Sequence, residues 1–166
     1  MINRKMKKYE LTGEVKFHLG IKLYRIKALI SFGNVEAGEL GGFIEKEENL
    51  SQNGNAWVFG NAEVSGDARV FGNARVYGDA EVFGNARVYG NALLKAETDI
   101  LVIGLIGSRN DTTTFFKTKD EKINVYCGCF RGTIEVFEKA VEETHGGTFY
   151  EKQYKLAIEL AKMSIR

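Results

Sequence analysis

A six-residue alternation of apolar and polar positions dominates residues 54–95. The segment reads GNAWVF GNAEVS GDARVF GNARVY GDAEVF GNARVY GNALLK, seven units without an insertion. Ala and Val alternate within each unit, so they share one face of a short strand, while the variable side chains share the other. Gly suits the turn between units because it adopts positive φ without a Cβ clash. The pattern predicts inward-facing side chains for Ala56, Val58, Ala62, Val64, Ala68 and Val70.

These units resemble the hexapeptide repeats of left-handed parallel β-helix proteins. Val58 with Ala62, and Val64 with Ala68, match the aliphatic and small positions of that repeat. The repeats together with YRIKALISFGNVEAGELGGFIEKEENLSQNGNAWV are similar to a group of bacterial and phage-encoded hexapeptide-repeat proteins of the transferase-like type. The resemblance covers roughly residues 9–95 and implies three units in each triangular coil, so that residues 18 apart stack. It also implies a phage or prophage setting.

The expected fold class is mainly β, a short parallel β-helix of left-handed sense with an N-terminal β cap and a C-terminal α+β module. We divide the chain into the cap at 1–47, the repeat at 48–101 and the module at 102–166, with Leu50 and Ile100 inward in flanking units. The segment EVKFHLGIKLYRIKALI alternates around Gly20 and predicts two strands.

The period breaks after Lys95, where the sequence predicts three β segments followed by two helices. The β segments are DILVIGLIG, TTTFF and INVYCGCF. Apolar residues at helical spacing, among them Phe137 and Tyr154, predict two helices with buried faces. One runs from near Thr133 to His145 and the other from about Tyr150 to Met163. This pattern does not continue the repeat.

Stacking at 18 residues places like charges over one another on the outer faces. Glu63 lies under Glu81, and Arg69 lies under Arg87, which gives one acidic and one basic face. Like charges in adjacent strands are destabilising. We therefore expect the acidic face of one subunit to meet the basic face of the next in a homotrimer, the alternative being that these charges are solvated. The third face carries Trp57, Arg75 and Leu93.

Aromatic side chains recur at the outward position after Val. An exposed apolar row of this size is unusual on a monomer. Three explanations stay open: coverage by the chain's own terminal segments, a subunit interface, or a stacking surface for a ligand or nucleic acid. Phe59 is the first residue of this aromatic row. The expected assembly interface consists of the stacked charged pairs and the rest of the row: Glu63, Glu81, Arg69, Arg87, Phe71, Tyr77, Phe83 and Tyr89.

Composition and charge describe an ordinary soluble protein. Apolar residues make up 44% of the chain, charged residues 27%, and the net charge is +1. These values argue against a general nucleic-acid coat. No apolar run has membrane-spanning length, and no apolar segment of a secretion signal follows the start, so we expect a cytoplasmic protein. The basic first 27 residues, which include Arg4, Lys5 and Lys8, form either a solvated terminus or a phosphate-contacting arm.

Residues 48–101 contain no histidine, which argues against catalysis and metal binding in the repeat. Acyltransferases of this architecture use a histidine there, and the related carbonic anhydrases use three. His18 falls in a predicted strand, where a structural or exposed role is favoured over a catalytic one. Cys127 and Cys129 share one side of a predicted strand and are read as structural thiols; redox or metal roles, or a Cys nucleophile with His145 as base, are the alternatives.

The loop GLIGSRNDTTTFF is the expected binding site. Freed backbone N–H groups beside Arg109 suit a phosphate. The alternative is an Asx-stabilised turn between strands. The candidate residues are Ser108, Arg109, Asn110 and Asp111.

The expected function is that of a non-enzymatic, oligomeric binding protein without catalytic residues, metal or cofactor. The resemblance to phage-encoded proteins makes this expectation more concrete. It implies an accessory protein that binds and inhibits a host component, such as a defence protein, in the bacterial cytoplasm. One alternative is a protein that sequesters a small ligand or nucleotide. A hexapeptide-type acyltransferase is the second alternative.

Overall fold

The structure is a computed structural model and describes residues 6–166. An antiparallel hairpin comes first in this part of the chain. Strands β1 (Tyr9–His18) and β2 (Ile21–Ala28) pair from Tyr9 with Ala28 to His18 with Ile21. Leu19 and Gly20 form the turn with φ of 47° and 82°. The prediction of two strands around Gly20 is confirmed. Arg4 and Lys5 of the basic segment lie outside the described residues.

The six-residue units form very short strands after β3 (Leu40–Ile44). Strands 18 residues apart pair in parallel, with Glu63 opposite Glu81 and Arg69 opposite Arg87. The predicted 18-residue stacking is confirmed. These strands are β4 (Trp57–Val58), β5 (Glu63–Val64), β6 (Arg69–Val70), β7 (Arg75–Val76), β8 (Glu81–Val82), β9 (Arg87–Val88) and β10 (Leu93–Leu94).

The small and branched side chains of the repeat point inward as predicted. Leu50 is 1% exposed and bridges to Val70. The glycines that open the units have φ between 59° and 71°, as their turn position requires. The six residues predicted to face inward are all 0% exposed: Ala56, Val58, Ala62, Val64, Ala68 and Val70.

A four-stranded antiparallel sheet and two helices complete the chain. The strands follow one another as a meander, in the order β11 (Ile100–Ile106), β12 (Asp111–Lys117), β13 (Ile123–Cys127) and β14 (Phe130–Thr133). Helices α1 (Ile134–His145) and α2 (Phe149–Ser164) begin after Thr133 and Thr148, whose hydroxyls accept backbone N–H groups. Both predicted helices are confirmed. The predicted third segment, INVYCGCF, is two strands, because the chain turns at Gly128 with φ of 55°.

The predicted fold class, a short parallel β-helix with a cap and a module, is wrong. The described strands belong to four separate sheets, with the two helices at the C-terminal end. One sheet, ordered β1-β2-β3-β5-β8, joins antiparallel N-terminal strands to parallel strands of the repeat. Seven units supply only two-residue strands, with two or three of these strands on each side. Strands from the flanking segments therefore extend the core, and Ile100 lies in an antiparallel strand opposite Phe116.

Two apolar clusters form the interior. One fills the repeat and extends beneath the N-terminal hairpin, and the other lies between the C-terminal sheet and the helices. Trp57 was expected on an outer face, but it is 0% exposed. Tyr9 and Phe32 cover it, with ring centroids 6.0 and 5.3 Å from the indole. The sequence pattern of the repeat could not predict this cover, because it comes from another segment.

Candidate functional site

A cleft of about 430 Å³ opens at one end of the C-terminal sheet. In an antiparallel meander the first and third turns lie at the same end of the sheet. The β11–β12 and β13–β14 turns therefore meet there, and α1 and α2 close the other side. The cleft is lined by Ser108, Arg109, Asp111, Cys127, Gly128, Cys129, Phe130, Phe137, Ala140, Val141, Thr144, His145 and Tyr154.

Aromatic rings form the inner wall of this cleft. Phe137 from α1 lies 4.9 Å from the ring of Phe130 and 5.5 Å from the ring of Tyr154, measured between centroids. Phe137 and Val141 are buried because their face of α1 packs on the sheet. A ligand entering the cleft would meet an apolar, aromatic surface, which suits a ring or another apolar moiety.

Tyr154 approaches the β11–β12 turn so closely that the turn needs glycine. A Cβ at Gly107 would lie 1.7 Å from the Tyr154 hydroxyl oxygen, and Gly107 has φ of 76°. The Gly107 N–H also donates to Gln153 Oε1 at 3.1 Å. The turn is thereby fixed against α2, which sets the position of the next residues, Ser108 and Arg109.

Cys127 is hydrogen-bonded between two hydroxyl groups. The Thr113 hydroxyl donates to Cys127 Sγ at 3.3 Å, and the thiol donates to the Tyr154 oxygen at 3.7 Å. Burial, and then the hydrogen bond from Cys127, raises the pKa of Tyr154 above its ordinary value. The phenol is therefore neutral near pH 7 and acts as a hydrogen-bonding group, not as a base.

His145 stands at the C-terminal end of α1, against the tyrosines of α2. Its ring centroid lies 5.7 Å from that of Tyr154, at an interplanar angle of 30°. The ring of Tyr150 contacts it on another side at 5.9 Å. Within residues 6–166, no hydrogen bond connects His145 to Cys127, so the structure does not show a paired thiol and imidazole.

Arg109 supplies the positive charge at the rim. It is exposed, and its Nη1 lies 3.6 Å from the position a Cβ would take at Gly128. In the part of the chain that the structure describes, no carboxylate lies within ion-pair distance of its guanidinium. A guanidinium with free donors at the mouth of an apolar cleft suits a carboxylate or phosphate.

The structure brings three of the four predicted binding residues to the cleft. Ser108, Arg109 and Asp111 line it, whereas Asn110 occupies the turn with φ of 49° and is not among its lining residues. The Asp111 carboxylate also accepts the N–H of the next residue, Thr112, at 2.7 Å, whereas the bond of an Asx turn reaches the residue two positions on. Their role in binding stays a prediction.

The two cysteines do not share one side of a strand, and that prediction is wrong. Cys127 ends β13 and is half-buried, whereas Cys129 is exposed in the following turn. The turn at Gly128 separates them, so only Cys127 has the partly buried environment expected for both. Both thiols still border the cleft.

The aromatic residues of the cleft were missed as site residues. Phe137 and Tyr154 were identified only as core positions of helices, and Phe130 was placed in a strand. Their helical spacing shows burial and nothing more. The available signal was the pair of glycine turns at 107 and 128, because a meander brings its first and third turns together.

The predicted acidic pair of the assembly interface contacts the chain's own N-terminal hairpin. His18 Nδ1 lies 2.6 Å from Glu63 Oε2 and 3.6 Å from Glu81 Oε1. Lys16 also forms an ion pair with Glu63. The hydrogen bond with Glu63 raises the pKa of His18. Glu63 retains a side-chain exposure of only 14%, so β1 covers much of this acidic face.

The predicted basic pair lies in the two-stranded sheet of β6 and β9, which is separate from the sheet that contains the hairpin. Arg87 Nη1 donates to the Asp67 carbonyl oxygen at 2.7 Å, and Arg69 is exposed. With Lys46, both arginines line a polar groove of about 390 Å³. Whether this face meets another subunit stays a prediction.

The predicted aromatic row has three environments within the chain. Phe71 and Tyr89 stack with centroids 5.9 Å apart, and the Arg131 guanidinium from β14 lies over both. Tyr77 stacks on Phe59 at 4.1 Å, with the rings 8° from parallel. Phe83 is 54% exposed. The C-terminal segment therefore covers part of the row.

A second groove, of about 470 Å³, crosses the repeat beside an asparagine column formed by Asn55, Asn73 and Asn91. Arg75, Lys95 and Lys119 border it. It lacks the aromatic inner wall of the C-terminal cleft, with its half-buried thiol and buried phenol. We therefore place the candidate site in the cleft.

Comparison with known proteins returns no related family and no related curated protein for this chain. None of the helices within residues 6–166 has the length and apolar character needed to cross a membrane.

Proposed function

We propose that this chain is a non-enzymatic binding protein whose C-terminal cleft holds a small organic anion with an apolar or aromatic body. The observation that carries the proposal is the exposed Arg109 guanidinium, without a carboxylate partner in residues 6–166, at the mouth of the aromatic cleft. A mononucleotide, or another phosphorylated or carboxylated ring compound, has this chemistry.

The dimensions and surface of the cleft support a ligand of that class. Its volume of about 430 Å³ falls in the range of small-molecule sites. Phe130 and the largely buried Phe137 give its wall an aromatic surface, and the neutral Tyr154 hydroxyl offers a hydrogen bond. Arg109 would then fix the orientation of the anion through paired N–H donors.

The surroundings of Cys127 support a cleft that binds a ligand and give no support to a nucleophilic role of this thiol. A nucleophilic thiol needs an adjacent base or cation that stabilises the thiolate. The hydrogen-bonding partners of Cys127 are the hydroxyls of Thr113 and Tyr154, and the pKa of that phenol is raised. The acyltransferase alternative draws no support from this arrangement.

Calorimetric titration with nucleoside monophosphates and cyclic mononucleotides tests the proposal. We expect Arg109→Gln to weaken binding about 10- to 100-fold, because a charge-assisted hydrogen bond contributes about 1.5–3 kcal/mol. Arg69→Gln, an exposed arginine on the repeat, is the matched control and should bind as the unsubstituted protein does. Binding that is equally weakened by both substitutions would place the anion elsewhere.

The outer face of α2 favours self-association as a second property. Phe149, Leu156, Leu160 and Met163 are exposed, at 68%, 72%, 46% and 69% of their surfaces. Their spacings of seven, four and three residues form the apolar seam of a coiled coil. The buried residues of α2, including Tyr154 and Ile158, lie on the opposite side.

The charges beside this seam suit a second copy of the same chain. Lys152 and Glu159 are exposed seven residues apart and therefore lie along one edge of the seam. In an antiparallel, two-fold pair centred near Leu156, Lys152 of one copy lies opposite Glu159 of the other. Sedimentation should show a dimer that Leu156→Glu converts to a monomer and that Leu19→Glu, at an exposed turn, leaves intact. A trimer that persists in Leu156→Glu would instead favour assembly through the charged faces.

The narrower expectations from the sequence remain predictions. They are a homotrimer, a host protein as partner, nucleic-acid binding, a phage or prophage origin and a cytoplasmic location. The exposed Phe83 and the basic pair Arg69 and Arg87 leave a surface for such a partner. Affinity capture with the Arg69→Glu, Arg87→Glu double variant beside the unsubstituted chain would test the partner prediction.

A further inference from the structure

We propose that His18, Glu63 and Glu81 form a binding site for a first-row transition-metal dication, with Zn²⁺ as its representative. This site lies outside the C-terminal cleft and does not depend on the function proposed for that cleft. It was not anticipated from the sequence, in which His18 and the two glutamates belong to different segments.

The register of the sheet brings the two carboxylates together. Strands β5 and β8 pair in parallel with Glu63 directly opposite Glu81, so both side chains leave the same face. Like charges at this position repel one another. A cation placed between the two carboxylates converts this repulsion into attraction.

The N-terminal hairpin supplies a nitrogen ligand at the same point. His18 ends β1, and its Nδ1 lies 2.6 Å from Glu63 Oε2 and 3.6 Å from Glu81 Oε1. One ligand atom from each of the three residues lies within 4.8 Å of the others. Ligands about 2.0–2.2 Å from a tetrahedral ion are about 3.4 Å apart, so small side-chain rotations suffice to enclose the ion.

The types of ligand select the class of metal. One imidazole nitrogen with two carboxylate oxygens suits Zn²⁺ and neighbouring transition metals. Mg²⁺ and Ca²⁺ prefer sites made only of oxygen. The remaining coordination positions would face a cavity of about 250 Å³ bordered by His18, Ser65 and Phe83, which has room for water or a small ligand.

Lys16 is the internal competitor for this site. Its ammonium group forms an ion pair with Glu63 and also contacts the face of the Phe43 ring at 4.3 Å. Glu81 has no ion pair other than the 3.6 Å contact with His18 within residues 6–166. A dication would thus gain both carboxylates, with the nearby Lys16 charge reducing its affinity.

Titration of the metal-free 166-residue chain with ZnCl₂ against a chromophoric chelator tests the site. We expect one Zn²⁺ per chain to bind through these residues and MgCl₂ to compete poorly. His18→Gln and Glu81→Gln should each weaken Zn²⁺ binding at least about tenfold, since even partners outside the coordination shell have effects of that size. His145→Gln, which alters the other of the two histidines in the chain, should leave this binding unchanged.

Two further measurements separate coordination from an effect on folding. Thermal unfolding without metal should show that Glu81→Gln remains folded, and added Zn²⁺ should raise the unfolding temperature of the unsubstituted chain but not of this variant. Lys16→Met should tighten Zn²⁺ binding by up to about tenfold, because it removes a neighbouring positive charge. Equal affinity in His18→Gln, Glu81→Gln and the unsubstituted chain, or a loss confined to His145→Gln, would overturn the proposal.

Discussion

The ammonium nitrogen of Lys8 lies 2.8 Å from the carbonyl oxygen of Ala56, inside the protein. Lys8 is 2% exposed, and its ammonium group also contacts the Phe32 ring at 4.9 Å. Burial lowers the pKa of Lys8 from 10.5 to about 8. The basic N-terminal segment was expected to be solvated or to contact phosphate. Lys8 of this segment is instead part of the contact between the hairpin and the repeat.

This lowered pKa predicts that stability increases between pH 8 and pH 10. Below pH 8 the folded and unfolded chains both carry the charge. Above pH 8 the folded chain releases the Lys8 proton first, so the unfolded chain binds more protons and the free energy of unfolding rises with pH. We expect a rise of about 1–3 kcal/mol, measured by urea unfolding at each pH.

Lys8→Met isolates this contribution, because it keeps the apolar stem and removes the titrating group. The difference in unfolding free energy between the variant and the unsubstituted chain should shrink or reverse in sign across the same pH range. Measurements should stop near pH 10, since burial raises the pKa of Tyr9 and its ionisation would then oppose folding. A pH-independent difference would contradict the prediction.

The buried hydrogen bonds of the Tyr9 hydroxyl should also stabilise the contact between the hairpin and the repeat. The hydroxyl donates to the carbonyl oxygen of Leu50 at 2.6 Å and also lies 2.9 Å from that of Glu47. Tyr9→Phe should lower the free energy of unfolding by about 1–3 kcal/mol, because it leaves a buried carbonyl without its donor. The fluorescence of Trp57, the single tryptophan, reports unfolding beside this contact. Tyr24→Phe, at a half-buried position in β2, should change stability far less.

The close contact between Gly107 and Tyr154 implies that a methyl group added at Gly107 lowers the stability of the protein. Gly107→Ala would place its Cβ 1.7 Å from the Tyr154 oxygen at a φ of 76°, so Tyr154 or the turn must move. We expect a loss of at least about 2 kcal/mol in unfolding free energy. Gly104→Ala, in the preceding strand β11, meets no heavy atom within 4 Å and serves as control. Similar stability of both variants would show that the turn yields without cost.

The repeat illustrates how much of this fold its own sequence determines. The alternation of Ala and Val, with Gly at each turn, predicted the inward faces, because that pattern depends on residues close in sequence. The 18-residue pairing was implied by the resemblance to hexapeptide repeats. The alternation did not predict the assembly of β3 with β5, or the burial of Trp57 beneath Tyr9 and Phe32. Those contacts join residues 20 or more positions apart, and no local period encodes them.

The residues of the candidate sites could also be predicted from the sequence only where a local pattern marks them. Arg109 and its neighbours were identified because glycines and polar side chains mark a turn. The aromatic wall opposite them depends on how α1 and α2 pack on the sheet. His18 and Glu63 are 45 residues apart, so their contact follows only from the pairing of the hairpin with the repeat.

The two stacked glutamates should respond oppositely to loss of charge in the metal-free protein. Glu63 has close contacts with Lys16 and His18, whereas Glu81 has only the longer contact with His18. Glu81→Gln removes a repulsion and little attraction, so we expect the free energy of unfolding to rise by about 0.5 kcal/mol. Glu63→Gln removes two attractive contacts and should lower it. Urea unfolding in EDTA measures both, and 1 M NaCl should reduce the difference between them through screening. A lower stability for Glu81→Gln than for Glu63→Gln would mean that the repulsion is already compensated in the native protein.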